Sequence, residues 1–264
     1  MIQDRAAVKQ LPQTTPGRKE TPVTMRLDKY LADMSVGTRK ELKEMIRKGR
    51  VLVEGVPVKD PGTVITGTED VRVDGARIAY TAFEYYMLNK PAGVISASED
   101  PRQATVVDLI EDRKRKDLFP VGRLDKDTVG LLMITNDGEL SHRLLSPRFH
   151  VDKVYYARIA GAVTESDAQA FAGGLKIDDT LTALPAKLEI LSVTAAPDPV
   201  SEIEVTIREG KFHQIKRMFA ARGMEVVYLK RLSMGPLVLD PGLEEGEYRP
   251  LTDEEVTVLK SLHS

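Results

Sequence analysis

Apolar residues recur along this chain with two different periods, and the change of period divides it. Residues 1–24 show neither period and are rich in Thr, Gln, Pro and charge, so they are expected to be a disordered extension. From Arg26 the spacing is helical, with Leu27, Tyr30 and Leu31 on one face. Thr38, followed three residues later by Glu41, is a capping box and announces a second helix that would bury Leu42, Met45 and Ile46 and stop at Gly49. Short runs at 50–53 and 71–73 then read as strands, separated by turn signals at Glu54-Gly55 and Asp60-Pro61-Gly62. The outcome is a small α+β module over residues 25–80.

A larger unit is predicted over residues 83–264. Strand patterns fall at 85–90, 131–135, 154–160, 186–191, 203–207 and 226–229, and helical patterns at 105–112, 138–145, 165–172, 213–222 and 253–262. Strands and helices do not alternate strictly, so a doubly wound parallel sheet is not expected; the pattern predicts an α+β unit with a mixed or antiparallel sheet.

Composition narrows the class. The 264 residues are 42% apolar and 30% charged, ordinary for a chain with a buried core, and no apolar run approaches the ~20 residues of a membrane helix. There is no cysteine, hence no disulfide and no thiolate ligand, which suits a reducing cytoplasm. His142, His150, His213 and His263 show no paired metal-ligand spacing, so no metal is expected.

Charge matters locally rather than globally. The net charge is only −2. Residues 25–50, however, hold eight cations (Arg26, Lys29, Arg39, Lys40, Lys43, Arg47, Lys48, Arg50) against four acids, a local +4. Arg39, Lys43 and Arg47 recur every four residues along one helical face. Such a face is either simply solvated or follows a nucleic-acid phosphate backbone, and the density of cations favours the second.

Three segments carry candidate chemistry. The first is a glycine-bounded polar loop, Val121-Gly122-Arg123-Leu124-Asp125-Lys126-Asp127-Thr128-Val129-Gly130, leading into an apolar strand, where catalytic groups tend to sit. Spacing alone does not choose between Asp125 and Asp127. In the second, Lys153-Val154-Tyr155-Tyr156-Ala157-Arg158-Ile159, alternation sets Tyr155 on the apolar face with Ala157 and Ile159. In the third, Glu209-Gly210-Lys211-Phe212-His213-Gln214-Ile215-Lys216-Arg217, a glycine turn delivers cations to the start of a helix. Cations there oppose the macrodipole by roughly 0.3–1 kcal/mol each, so an anionic partner is called for.

In this order, GRLDKDTVGLLMITNDG, KVYYARI and EGKFHQIKRMF, with YYMLNKPAGVISA before them and LKRLSMGP after them, resemble the motifs of the RsuA-type pseudouridine synthases. The segment beginning MRLDKYLA is similar to the small RNA-binding module of the ribosomal-protein-four (alpha-L) type that precedes the catalytic domain in that family. The resemblance covers most of residues 25–250. It implies isomerisation of a uridine in ribosomal RNA, without a cofactor, by a monomer acting in the cytoplasm. Asp125 would be the catalytic aspartate, Tyr155 the active-site tyrosine and Lys216 the basic partner of the aspartate. Arg123 would enter the RNA stack where the target base has left. His213, Gln214, Arg217 and Leu232 would line the substrate, and Arg26, Lys29, Arg39, Lys40, Lys43, Arg47 and Arg50 would contact RNA through the small module. The run His213-Gln214-Ile215-Lys216-Arg217 is closer to the enzymes acting on 16S than to those acting on 23S ribosomal RNA. A non-catalytic RNA-binding assembly factor is the competing class.

Overall fold

The computed structural model describes residues 24–178, 181–195 and 197–262, so the tail expected to be disordered lies outside it except for Thr24. The described residues divide into two compact units, one formed by residues 24–32 with Gly37–Tyr80 and the other by Asp33–Val36 with the described residues from Thr81 onward.

The first unit opens with β1 (Met25–Arg26), α1 (Leu27–Asp33) and α2 (Arg39–Arg47). Leu27, Tyr30 and Leu31 are buried at the predicted helical spacing, as are Leu42 and Ile46 of α2. Both halves of the capping box form: the Thr38 side chain accepts from the Glu41 N–H at 3.4 Å, and the Glu41 carboxylate accepts from the Thr38 N–H at 2.8 Å. Gly49 ends the helix because its φ of 72° lets its own N–H reach the Ile46 carbonyl and that of Arg50 reach Met45. Five short strands follow: β2 (Val51–Val53), β3 (Val56–Pro57), β4 (Val64–Ile65), β5 (Val71–Val73) and β6 (Ala76–Arg77). They form an antiparallel β3-β2-β5-β6 sheet, while β4 pairs with β1. Arg39, Lys40, Lys43 and Arg47 project from α2 as exposed side chains, and none joins an ion pair among the described residues.

The second unit is built on one nine-stranded sheet. In chain order its elements are β7 (Tyr85–Lys90), β8 (Phe119–Pro120), β9 (Val129–Thr135), α3 (Gly138–Leu145), β10 (Lys153–Ala160), α4 (Glu165–Ala172), β11 (Lys187–Val193) and β12 (Val200–Ile207). They continue with α5 (Gln214–Ala220), β13 (Glu225–Met234), β14 (Leu237–Val238), β15 (Tyr248–Pro250) and α6 (Asp253–Ser261). The strand order is β11-β12-β10-β13-β9-β7-β15, with β14 on β13 and β8 on β9. Every pairing is antiparallel except β13 with β9, so the sheet is mixed, as its pattern predicts.

Burial follows the pattern of each strand. All seven residues of β9 are buried, because Leu132 and Ile134 join the core on one face and Leu131 and Met133 the core on the other. A strand covered on both faces reads as a continuous apolar run rather than an alternation. Strand β10 instead buries Tyr155, Ala157 and Ile159 on one face and leaves the other half-exposed.

One predicted helix is absent. Residues 105–112 form turns, although Val106, Val107 and Ile110 are buried. The Asp108 carboxylate accepts from both the N–H and the hydroxyl of Thr105, at 2.9 and 2.8 Å, and Arg113 donates to the Ile110 carbonyl at 3.2 Å. Arg113 thus takes up a carbonyl that a continuing helix would give to a backbone N–H, while the Thr105–Asp108 pair is a capping box with no helix behind it, on a β-branched run with weak helical preference. Among the described residues no helix is long and apolar enough to cross a membrane.

Candidate active site

The loop between β8 and β9 holds Asp125, and its shape is fixed from behind. Gly122 turns the chain with a φ of 80°, and Leu124 is buried as an anchor. The N–H of Leu124 donates to the Ser96 hydroxyl at 3.1 Å, and that hydroxyl donates to the Leu124 carbonyl at 2.9 Å. The N–H of Gly93 reaches the Lys126 carbonyl at 2.8 Å. Lys90, fully buried at the end of β7, spends its ammonium on the carbonyls of Pro91 (3.0 Å), Lys126 (3.3 Å) and Thr128 (2.9 Å). Burial pulls this ammonium down to about 8, against the opposing pull of Asp127 and Asp125.

The cation expected at the start of the third segment lies opposite this loop. Helix α5 begins at Gln214, and His213 precedes it in the left-handed region with a φ of 49°. The turn is held by Glu209, whose buried carboxylate accepts from the Leu184 N–H at 2.8 Å and from the Gln214 amide at 2.7 Å, while the Gln214 amide oxygen accepts from the Lys211 N–H at 3.0 Å. From this platform Lys216 places Nζ 3.1 Å from Asp125 Oδ2 and 2.6 Å from Asp127 Oδ1. Burial alone would lower the Lys216 ammonium, but hydrogen bonds and charge from the two carboxylates outweigh it and hold the group above the ordinary lysine value. The hydrogen bond from Lys216 likewise holds Asp127 below the usual carboxylate range. The macrodipole conflict read from the sequence is therefore met by two anions rather than one.

A cleft opens between the loop, β10, β13 and the start of α5. Asp125, Tyr155 and Lys216 all line it, together with Arg123, His213 and Gln214. Asp127 does not: its side chain is 73% exposed and serves only the outer side of Lys216. Tyr155 is buried and forms part of the floor, beside Leu124, Ile207 and Leu229. His213 Nε2 lies 3.5 Å from Asp125 Oδ1. Arg123 is exposed at the rim.

Two residues expected at the substrate lie elsewhere. Arg217 pairs with Asp178 and donates to the Phe212 carbonyl at 3.4 Å, so it braces the turn instead of lining the cleft. Leu232 sits half-buried on β13 outside the cleft, and Leu229 lines it in its place. The sequence did not single out Lys90 or Leu229, and offered Gly130 only as the boundary of the loop. Gly130 marks the closest approach of β9 and β13, where an added Cβ would lie 2.3 Å from the Arg231 carbonyl oxygen. The signal available for Lys90 was a lysine ending a strand whose first four residues are aromatic or apolar. Among the described residues no three His, Cys, Asp or Glu side chains are grouped to hold a metal ion.

Comparison with known proteins matches residues 84–221 to the RNA pseudouridylate synthase family and residues 25–71 to the S4 domain. The chain is 48% identical over 237 residues to the uncharacterized RNA pseudouridine synthase YtzG of Bacillus subtilis, covering 89% of this chain and 98% of that protein. It is 40% identical over 235 residues to ribosomal small subunit pseudouridine synthase A of Escherichia coli (88% and 98% covered). It is 38% identical over 237 residues to ribosomal large subunit pseudouridine synthase B of Bacillus subtilis (90% and 96% covered). A crystal structure of a pseudouridylate synthase aligns with a TM-score of 0.61 at 38% identity, covering 89% of this chain and 99% of the other.

Proposed function

The chain belongs to the RNA pseudouridylate synthase family and carries an S4 domain; from that premise we propose that Asp125 is the carboxylate with which it isomerises uridine in ribosomal RNA to pseudouridine. The observation that carries the assignment is the ion pair of Asp125 with Lys216 inside the cleft, at 3.1 Å.

The reaction breaks the bond from the ribose to the uracil nitrogen, turns the base, joins the ribose to carbon five and releases the proton from that carbon. The freed nitrogen takes up a proton in exchange, so nothing is oxidised, the composition is unchanged and side chains suffice. Asp125 acts as a nucleophile or as a base, and in either role it must be ionised. Lys216 stabilises that charge directly, while Asp127 keeps Lys216 cationic. Tyr155 offers the uracil an aromatic floor worth ~1–3 kcal/mol of stacking. A uridine enters only by leaving its stack, which costs a few kcal/mol, and Arg123 at the rim is positioned to fill the gap it leaves. The chain binds RNA, and the exposed cations of α2 add phosphate contacts that position the substrate without reading bases.

Small-subunit ribosomal RNA is the proposed substrate, supported by the relatives named for it at 38–42% identity. Large-subunit RNA is the second reading, favoured by the relative named for that subunit at 38%. In either case the chain acts as a cytoplasmic monomer, on the RNA or on an assembly intermediate of the subunit.

The test is release of the carbon-five hydrogen from labelled ribosomal RNA of cells lacking the protein. Asp125→Asn is expected to reduce release by ~10²–10⁴-fold or more. Undiminished release by that variant would sink the assignment, and mapping the new pseudouridine separates the two subunits.

A further inference from the structure

Phe212 is the most exposed large apolar side chain among the described residues, at 74%. A single exposed apolar residue is ordinary. This one is distinguished by how it is held. On one side of it the Lys211 N–H is bonded to Gln214, and the Lys211 ammonium reaches Glu209 at 3.0 Å and the Thr182 carbonyl at 3.1 Å. Its own carbonyl accepts from Arg217, which is itself paired with Asp178. The ring is therefore presented to solvent by a fixed backbone.

Its orientation is equally specific. Neighbouring side chains on an extended strand point to opposite faces. Here the left-handed backbone at His213 brings the two rings parallel, with centroids 3.7 Å apart and planes 19° apart. One face of Phe212 thus lies on the imidazole and the other faces solvent. The imidazole in turn stands 3.5 Å from the Asp125 carboxylate, so the stack runs from the mouth of the cleft to the reacting group. Arg123, exposed and lining the cleft, sets positive charge at that mouth.

A planar apolar face one residue from the cleft wall, with the Arg123 cation at the same mouth, is complementary to a nucleobase and its phosphate. When one nucleotide is drawn into the cleft, the next must stand at its mouth with one face unstacked. We propose that the outer face of Phe212 is a second nucleobase subsite, taking the unstacked base that neighbours the target uridine. This rests on the cleft being the uridine site.

The test uses the full chain, wild type and with Phe212→Ala, Phe212→Leu and Phe212→Trp. Hydrogen release from carbon-five-labelled ribosomal RNA gives KM and kcat, and a uridine oligomer of about ten nucleotides serves as a binding probe. Phe212→Ala and Phe212→Leu are each expected to raise KM about tenfold with kcat little changed, while Phe212→Trp keeps the wild-type KM. The chain has no tryptophan of its own, so emission from Phe212→Trp reports the subsite directly and should be quenched by the oligomer. An unchanged KM in Phe212→Ala, a Phe212→Leu variant as good as Phe212→Trp, or a loss confined to kcat would overturn the subsite. The last result would mean that the ring merely props His213. A wild type that releases no hydrogen would sink the proposed function instead, and tryptophan emission would still decide the subsite.

Discussion

Lys216 serves two carboxylates with one ammonium, and this division of labour gives the two aspartates of the loop different tasks. Asp125 faces the cleft, and Asp127 anchors the cation from outside. Lys90 supports the same loop from below with a charge that burial opposes, and Lys153 on β10 is a second case, pushed to about 8 by burial and then by Arg231. Both folded values lie below the ordinary lysine value, so between about pH 8 and pH 10 the unfolded chain binds more protons than the folded one. Stability must therefore rise with pH across that window. Urea unfolding at about pH 7.5 and about pH 9.5 should show a gain of roughly 1–2 kcal/mol per lysine, removed by Lys90→Met with Lys153→Met. Above that window the sign reverses, since Tyr85 and Tyr86 are held above the ordinary phenol value by burial first and then by Asp137 and Glu84 respectively. A flat profile in the wild type would show that the two ammoniums are not desolvated as described.

At the scale of elements, the parallel contact of β9 with β13 sets the site. It joins strands that begin and end different parts of the cleft: β9 follows directly from the Asp125 loop, and β13 supplies Leu229. Gly130 pairs with Arg231 there, and its φ of 97° together with the 2.3 Å approach excludes a side chain. Gly130→Ala is expected to cost more than about 3 kcal/mol, since the atom it would meet is backbone and strands must separate to admit it. Thermal unfolding checks this. A melting temperature within a degree or two of wild type would mean that the two strands tolerate separation. The strands and helices themselves were largely legible from periodicity, because each needs only its own pattern of covered faces. The helix predicted at 105–112 was not, because turns there bury Val106, Val107 and Ile110 at a spacing that a helix would also give.

For the whole molecule, two units with separate cores imply separable roles. A chain starting at Thr81 is expected to fold, to bind ribosomal RNA more weakly and to lose part of its salt dependence. If the four exposed cations of α2 each neutralise a phosphate, the slope of log affinity against log salt falls by about 3. Binding across a salt series measures this, and an unchanged slope would remove the RNA-clamp role from the small unit. What the sequence determined by itself was the capping of α2, the apolar face that buries Tyr155 and the need for an anion near Lys216. Each of these depends on residues within a few positions of one another. Only the tertiary structure decided that Asp127 stands outside the cleft and holds Lys216 from there, that Lys90 grips the loop, that Arg217 turns away to Asp178, and that Phe212 stands at the mouth. Those outcomes depend on partners far apart in the chain, such as Lys216 with Asp127 across 89 positions, and local periodicity carries no information about which distant surfaces meet.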